Sequence, residues 1–312
     1  MHDAEILIQV LILGLANGAL FALIALGYTL VYGIIELINF AHGDVYMIGT
    51  FTALTVVLEA GVTRGSPPPL LALTLVLALV IAIVVCAVLN VVIERLAYRR
   101  LRNAPRLAPL ISAIGVSFIL MNVGLHWYGA SQVRFPDLLP NVDLLHDVLG
   151  LNTSVRFSSK DLVVLLLTVP LLVGLNLFVS NTRLGKAMRA TAQDREAASL
   201  MGININQTIA LTFLLGGALA GAAGFLSGLY NNSAWFMQGF RGGLMAFTAA
   251  VLGGIGNLTG AVLGGIIIGV VSALSDFYFD PRWTQAVVFG ILILIMVFRP
   301  SGLLGEQVPE KV

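Results

Sequence analysis

Mainly apolar sequence free of Asp, Glu, Lys and Arg runs from 6 to 35 and again from 45 to 58, and between them stands a polar island, Glu36-Leu-Ile-Asn-Phe-Ala-His-Gly-Asp44. Further stretches free of Asp, Glu, Lys and Arg cover 65–93, 107–133, 162–182, 197–240, 242–275 and 283–298. A span of the hydrocarbon takes about 20 apolar residues, and thirty helical residues reach ~45 Å, well past the ~30 Å available. The stretches 6–35 and 242–275 are therefore too long for one straight span. The pattern predicts a helix at about 6–27 and a second, interrupted one at about 28–58. It also predicts that Gly253-Gly-Ile-Gly-Asn-Leu-Thr-Gly260 divides 242–275 into two helical pieces. The remaining helices fall near 70–93, 108–129, 161–179, 208–230 and 284–299. The predicted fold is an all-α polytopic membrane protein, one transmembrane domain over 1–312, with about 8–9 transmembrane helices and broken or re-entrant segments. Interrupted segments in both halves point to a transporter's central pathway and to an internal pseudosymmetry, centred near 130–160.

Composition agrees: 58% of the 312 residues are hydrophobic and 11% charged, with mean hydropathy +0.96, against roughly 25% charged in soluble domains. A formal charge of +1 gives no electrostatic case for nucleic acid. Cys86 is the single cysteine, which excludes an internal disulfide and a cysteine metal site; four scattered histidines argue against any metal centre. The opening Met-His-Asp-Ala-Glu lacks the basic start of a signal peptide, so the first apolar segment is expected to be retained.

Basic residues set the orientation. Arg95, Arg99, Arg100, Arg102 and Arg106 fill one loop, and Arg183, Lys186, Arg189 and Arg195 fill 180–206, two spans later. Both loops are expected on the cytoplasmic side, with the C-terminus, and 130–160 on the periplasmic side. Trp127, Tyr128, Trp235 and Trp283 then fall at outer ends, where an aromatic belt belongs. The N-terminus is placed outside by parity.

A polar break at membrane depth is tolerated only where protein or a water-filled cavity satisfies it, which makes Asn39, His42 and Asp44 candidates. Two readings stand: a surface loop with Asp44 as a helix cap, or a break that lines a path or its gate. The 181–203 segment reads as a short alanine-rich helix with Asn181 or Thr182 at its start and Gly202 after its end. Alanines at 187, 190, 192, 197 and 198 suit close approach to a partner protein better than a lipid anchor. Glycine pairs such as 217 with 221, and 260 with 264, allow close helix packing. No phosphate-binding Gly-Lys-Ser/Thr occurs, so the chain has no nucleotide site of that kind.

Asn39-Phe-Ala-His-Gly-Asp-Val-Tyr-Met-Ile-Gly49 resembles the signature of permease subunits of branched-chain amino acid ABC importers, in the LivH-like branch. Gly185-Lys-Ala-Met-Arg-Ala-Thr-Ala-Gln-Asp194 with 198–203, Ala246-Phe-Thr-Ala-Ala-Val-Leu-Gly-Gly-Ile-Gly256 and Pro300-Ser-Gly-Leu-Leu-Gly305 are similar to the same family, in the expected order. One departure is Met245, which stands where the family often has lysine; Arg241 is the nearest basic residue. The resemblance implies a multi-pass subunit of the bacterial inner membrane without cofactors or an ATPase site of its own. Its partners would be a LivM-like second permease, two ATP-binding subunits and a periplasmic amino-acid-binding protein. Asn39, Phe40, His42, Gly43, Asp44 and Phe247 would line the translocation pathway or gate. Gly185, Arg189, Ala190, Asp194, Arg195, Glu196 and Gly202 would belong to the ATPase-coupling segment, 181–206. Transport by alternating access follows, with urea, amides or other amino acids as alternative cargoes. A gradient-driven transporter is the rival class and would need an acid or histidine relay within a span; an intramembrane enzyme would need a nucleophile and base, for which no spacing serves.

Overall fold

In a computed structural model of the chain, which describes residues 2–102, 104–105, 107–140, 142–148, 150 and 154–305, the first apolar run is one continuous helix, α1 (His2–Ile35). The expected end near 27 is not there. Residues 28–35 contain no proline and pack against their neighbours, so nothing stops the helix until Glu36, whose φ of 55° breaks it. Its 34 residues span ~51 Å, more than the hydrocarbon is thick, a mismatch that tilt or protruding ends absorb. Arg106 and the tail past 305, which carried part of the orientation argument, lie outside the described residues.

After the break come α2 (His42–Glu59) and α3 (Pro68–Ile93), which runs on through a π-turn at Glu94–Tyr98 and a short 3-10 turn at Arg99–Leu101. Then follow α4 (Leu107–Tyr128), α5 (Ser159–Asn181), α6 (Arg183–Gln193), α7 (Arg195–Leu200) and α8 (Ile205–Asn231). The chain ends with α9 (Gln238–Gly253), α10 (Leu258–Tyr278) and α11 (Thr284–Phe298). Local chemistry sets these starts. Pro68 opens α3, Ser158 and Asp161 form a reciprocal capping box on α5, and Asn257 accepts from Gly260 N at 2.9 Å to start α10. The divided 242–275 stretch is seen as expected: Gly254 and Gly256 take φ of 105° and 97° between α9 and α10.

Six helices, those at 4–35, 68–101, 107–128, 159–181, 205–231 and 258–278, are long and apolar enough to cross a membrane, and α11 is a shorter apolar helix. The chain is thus a multi-pass helical membrane protein. Its core is built from α1, α2, α8, α9 and α10, while α3, α4, α5 and α11 turn large apolar side chains outward, among them Ile111, Leu166 and Ile293. The pairings repeat across the chain. α1 packs on α10 as α8 packs on α3, α2 on α8 as α9 on α1, and α2 on α4 as α9 on α11, while α1 meets α8 and α2 meets α9. Exchanging α1–α4 with α8–α11 therefore maps these helix pairings onto one another, with α5–α7 between the two units. Glycines let α1 and α10 touch: a Cβ on Gly18 would lie 2.8 Å from Ile266 Cα, so no side chain fits there.

A two-stranded ribbon, β1 (Val133–Arg134) with β2 (Ser233–Ala234), lies at the end of α8 away from α6 and α7. Beside it Lys160 forms an ion pair with Asp137 at 2.9 Å and donates to Asn232 Oδ1, and the ammonium of Lys160 lowers the Asp137 carboxyl below its ordinary range.

Candidate functional site

The two interruptions meet along one groove. Glu36 from the first, and Ile255, Gly256 and Asn257 from the second, line a 610 Å³ cavity with Arg189 and Gln193 of α6. A neighbouring cavity of 340 Å³ is bordered by Glu36, Tyr98, Arg102, Asp194 and Arg195. Both breaks thus open toward the side of the molecule that carries α6 and α7.

From Glu36 the chain turns inward. Asn39 is buried, and three elements hold it there: Tyr98 Oη donates to Asn39 Oδ1 at 3.0 Å, Asn39 Nδ2 donates to Asn90 Oδ1 at 3.4 Å, and Asn90 Nδ2 donates to Phe213 O at 2.6 Å. α2 then starts deep in the protein. His42 is wholly buried, its ring laid over Gly27 and edge-on to Tyr28 at 4.9 Å between centroids. A Cβ at Gly43 would sit 2.8 Å from Gly243 Cα, so the first turns of α2 and α9 cross in near contact. Asp44 lies in that crossing, 1% exposed. Its Oδ2 accepts from Ser117 Oγ, midway along α4, at 2.5 Å, and its Oδ1 has no hydrogen-bond partner. The carboxylate faces the positive ends of two half-helices, the geometry that makes an acid tolerable at this depth.

Two closures seal this crossing. On the groove side, Phe247 stands 6.2 Å from Tyr28 and 6.0 Å from Phe40 by ring centroids, and only a 10 Å³ void remains among Tyr28, Tyr32, Ile38 and Phe247. On the other side Tyr46 Oη donates to Ser227 Oγ at 2.6 Å, and Gln238 Nε2 donates to Thr50 Oγ1, also at 2.6 Å. The six pathway candidates therefore come together, with Asn39, His42, Gly43 and Asp44 enclosed and Phe40 and Phe247 half-buried at the plug. Sequence reasoning missed Tyr28, Asn90 and Ser117, which lie one or two spans away. Asn90 carried a signal, as an isolated amide within an apolar run.

The 181–203 segment is two helices, not one. Thr182 caps α6 by accepting from Gly185 N at 3.0 Å, as expected. Asp194 then turns the chain at φ −156°, ψ 112°, and its side chain caps α7 by accepting from Ala197 N at 3.0 Å. An aspartate that satisfies its own neighbours competes with the continuing helix, which is why the corner falls there. Gly202, at φ 84°, closes α7, with Ile203 N donating to Ala198 O at 3.1 Å. Gly185 packs against the last turn of α5, Arg189 donates to Val179 O and to Ser180 O, and Arg195 donates to Ile34 O at 2.8 Å. Glu196 is exposed and Ala190 half-buried. At the tip, Leu200 and Met201 are 88% and 84% exposed, the most exposed large hydrophobic residues among those described.

Beneath this segment Glu94 is buried and takes an ion pair from Arg102, which also donates to Asn206 Oδ1 at 2.7 Å; burial lowers the Arg102 pKa and Glu94 opposes it. Met245 is buried while Arg241, one turn earlier, is exposed, so Arg241 does not occupy the place of Met245. Among the described residues no group of three or more His, Cys, Asp or Glu could hold a metal, and Cys86 Sγ donates to Val45 O at 3.2 Å.

A family model described as the permease component of branched-chain amino acid transport systems matches residues 10–297. The high-affinity branched-chain amino acid transport system permease protein BraD of Pseudomonas aeruginosa is 43% identical over 305 residues, 98% of each chain. LivH of Escherichia coli K12, a permease protein of the same description, is 40% identical over 96% of each. A probable LivH of Methanocaldococcus jannaschii is 31% identical over 66% of this chain and 62% of its own. No solved structure matches.

Proposed function

The chain belongs to the family of permease components of branched-chain amino acid transport systems, and from that premise we propose that it is a membrane subunit of an ATP-driven importer for leucine, isoleucine and valine. A second, LivM-like permease completes the conduit, two separate ATP-binding subunits drive it, and a soluble binding protein delivers the cargo from the periplasm. The side bearing α6 and α7 faces the cytoplasm of a bacterial inner membrane, in keeping with its arginines.

One observation carries the reading: the helices α2 and α9 start against each other at Asp44, closed from both sides by separate side-chain plugs. That arrangement fits an occluded stage of alternating access, with Phe40, Phe247 and Tyr28 as the inner closure and Gln238–Thr50 in the outer one. The cargo's two charges meet a site with one carboxylate and two helix N-termini, enough to accept a zwitterion in passage without holding it.

Coupling to ATP hydrolysis falls to 181–206. Gly185, Ala190 and Gly202 shape the segment, Asp194 sets its corner, and Glu196 with Leu200 and Met201 presents an apolar tip with a polar edge. Polar-rimmed exposed apolar groups mark a protein contact.

Purified with its partner chains in proteoliposomes, the protein is expected to take up radiolabelled leucine only with ATP and binding protein. Uptake driven by an ion gradient without ATP would overturn the reading. Leu200→Glu with Met201→Glu is expected to release the ATP-binding subunits from the purified complex; their retention would remove the tip from the docking surface.

A further inference from the structure

Two of the three arginines of the proposed coupling segment are engaged within the protein. Arg189 and Arg195 both turn back into the protein and donate to backbone carbonyls at the ends of two membrane helices, Arg189 to the last turn of α5 and Arg195 to Ile34 of α1. The last carbonyls of a helix have no partner within it, and a cation suits that negative end. Each arginine is therefore a charge-assisted cap.

The two caps differ in what lies beyond them. α5 passes directly into α6, so Arg189 braces a joint the backbone already makes. Arg195 bridges 161 residues of sequence, and two residues past its acceptor stands Glu36 at φ 55°, a left-handed conformation that costs a non-glycine residue free energy. Three residues further on, Asn39 is pinned by Tyr98 and Asn90, and Asn90 in turn to α8. The segment 35–38 is thus held between a fixed point at Asn39 and a point at Ile34 that α7 holds. When α7 shifts, the end of α1 follows, and the strained joint at Glu36 takes up the difference.

We propose that Arg195 is the positioning residue through which the coupling segment drives the first break: its bond to Ile34 O makes α7 and the end of α1 one moving body. This rests on the reading of 181–206 as the ATPase-docking segment, and it assigns Arg195 a role inside the permease instead of at that interface. The carbonyl acceptor asks for a donor at that reach, which lysine also supplies.

The test compares Arg195→Ala and Arg195→Lys in the complete reconstituted importer, reading ATP hydrolysis, leucine uptake and subunit content. Arg195→Ala is expected to keep its ATP-binding subunits and to hydrolyse ATP within about twofold of the parent, while leucine moved per ATP falls at least about tenfold, the scale of one lost charge-assisted hydrogen bond. Arg195→Lys is expected to restore most of that ratio. An unchanged ratio in Arg195→Ala overturns the proposal. So does loss of the ATP-binding subunits, which would place Arg195 at the docking surface and leave the docking reading standing. A second measurement keeps Arg195 native and covers an alanine variant that fails to accumulate: spin labels at Tyr32→Cys, within the last turn of α1, and Ser199→Cys on α7, with Cys86 buried out of reach. Their separation is expected to stay the same with and without ATP; a change on ATP binding overturns the proposal as well.

Discussion

Asp44 shows how one residue's cost is shared among several. A carboxylate that is 1% exposed has a single side-chain donor, Ser117, and otherwise the N-terminal turns of α2 and α9. Ser117→Ala strands that oxygen and is expected to lower stability by ~1–3 kcal/mol, the cost of an unsatisfied buried acceptor. A drop in the unfolding midpoint of the detergent-solubilised protein, absent in Ser117→Thr, checks it. Gly18 makes a steric case. A methyl group there meets Ile266 Cα, so Gly18→Ala is expected to force α1 from α10 and cost ~1–3 kcal/mol, again read from the midpoint. An unshifted midpoint would mean that the two helices do not approach as described. The sequence marked Asp44 as a polar residue out of place and the glycines of α8 and α10, though not Gly18, as packing residues. It could not supply Ser117 or Ile266, because neither is near in sequence.

Among the elements, ends were more legible than joints. Starts and stops follow from short-range chemistry, so α3, α4, α5, α8 and α11 lie within a few residues of the expected spans, and the glycine run separates α9 from α10. Two joints escaped. α1 was expected to end near 27 because length alone argued for it, yet a helix stops where its backbone is broken, at Glu36. The 181–203 helix was expected to be continuous because its composition favours helix, but the Asp194 side chain turns it. Thr182→Ala should loosen the start of α6 by ~1 kcal/mol, the usual worth of such a cap. Faster amide exchange at 183–187, with the rest of the protein unchanged, is the expected signature; uniform exchange throughout would assign Thr182 no local role.

For the molecule as a whole, the ribbon and the Asp137–Lys160–Asn232 cluster tie the long connection after α4 to the end of α8. Lys160 holds Asp137 charged more readily in the folded protein than in the unfolded chain. A lowered carboxyl pKa contributes stability that is complete above the ordinary carboxylate value and is lost as pH falls through the lowered one. Amide exchange around 133–139 should therefore quicken as pH drops below the ordinary carboxylate range, after correction for intrinsic rates, and Asp137→Asn should remove that dependence. A native protein with no such change would leave the ion pair without a part in holding the connection. Long apolar stretches, polar interruptions and glycine spacing are local properties, so the chain by itself settled a multi-pass helical protein with two breaks and identified its family signatures. Which helix lies on which is a matter of contacts between distant residues: that α1–α4 and α8–α11 pair alike, that both breaks open on one groove, and that Arg195 reaches the end of α1. Those arrangements arise only when packing brings separated segments within hydrogen-bond and van der Waals range, and the tertiary structure alone decided them.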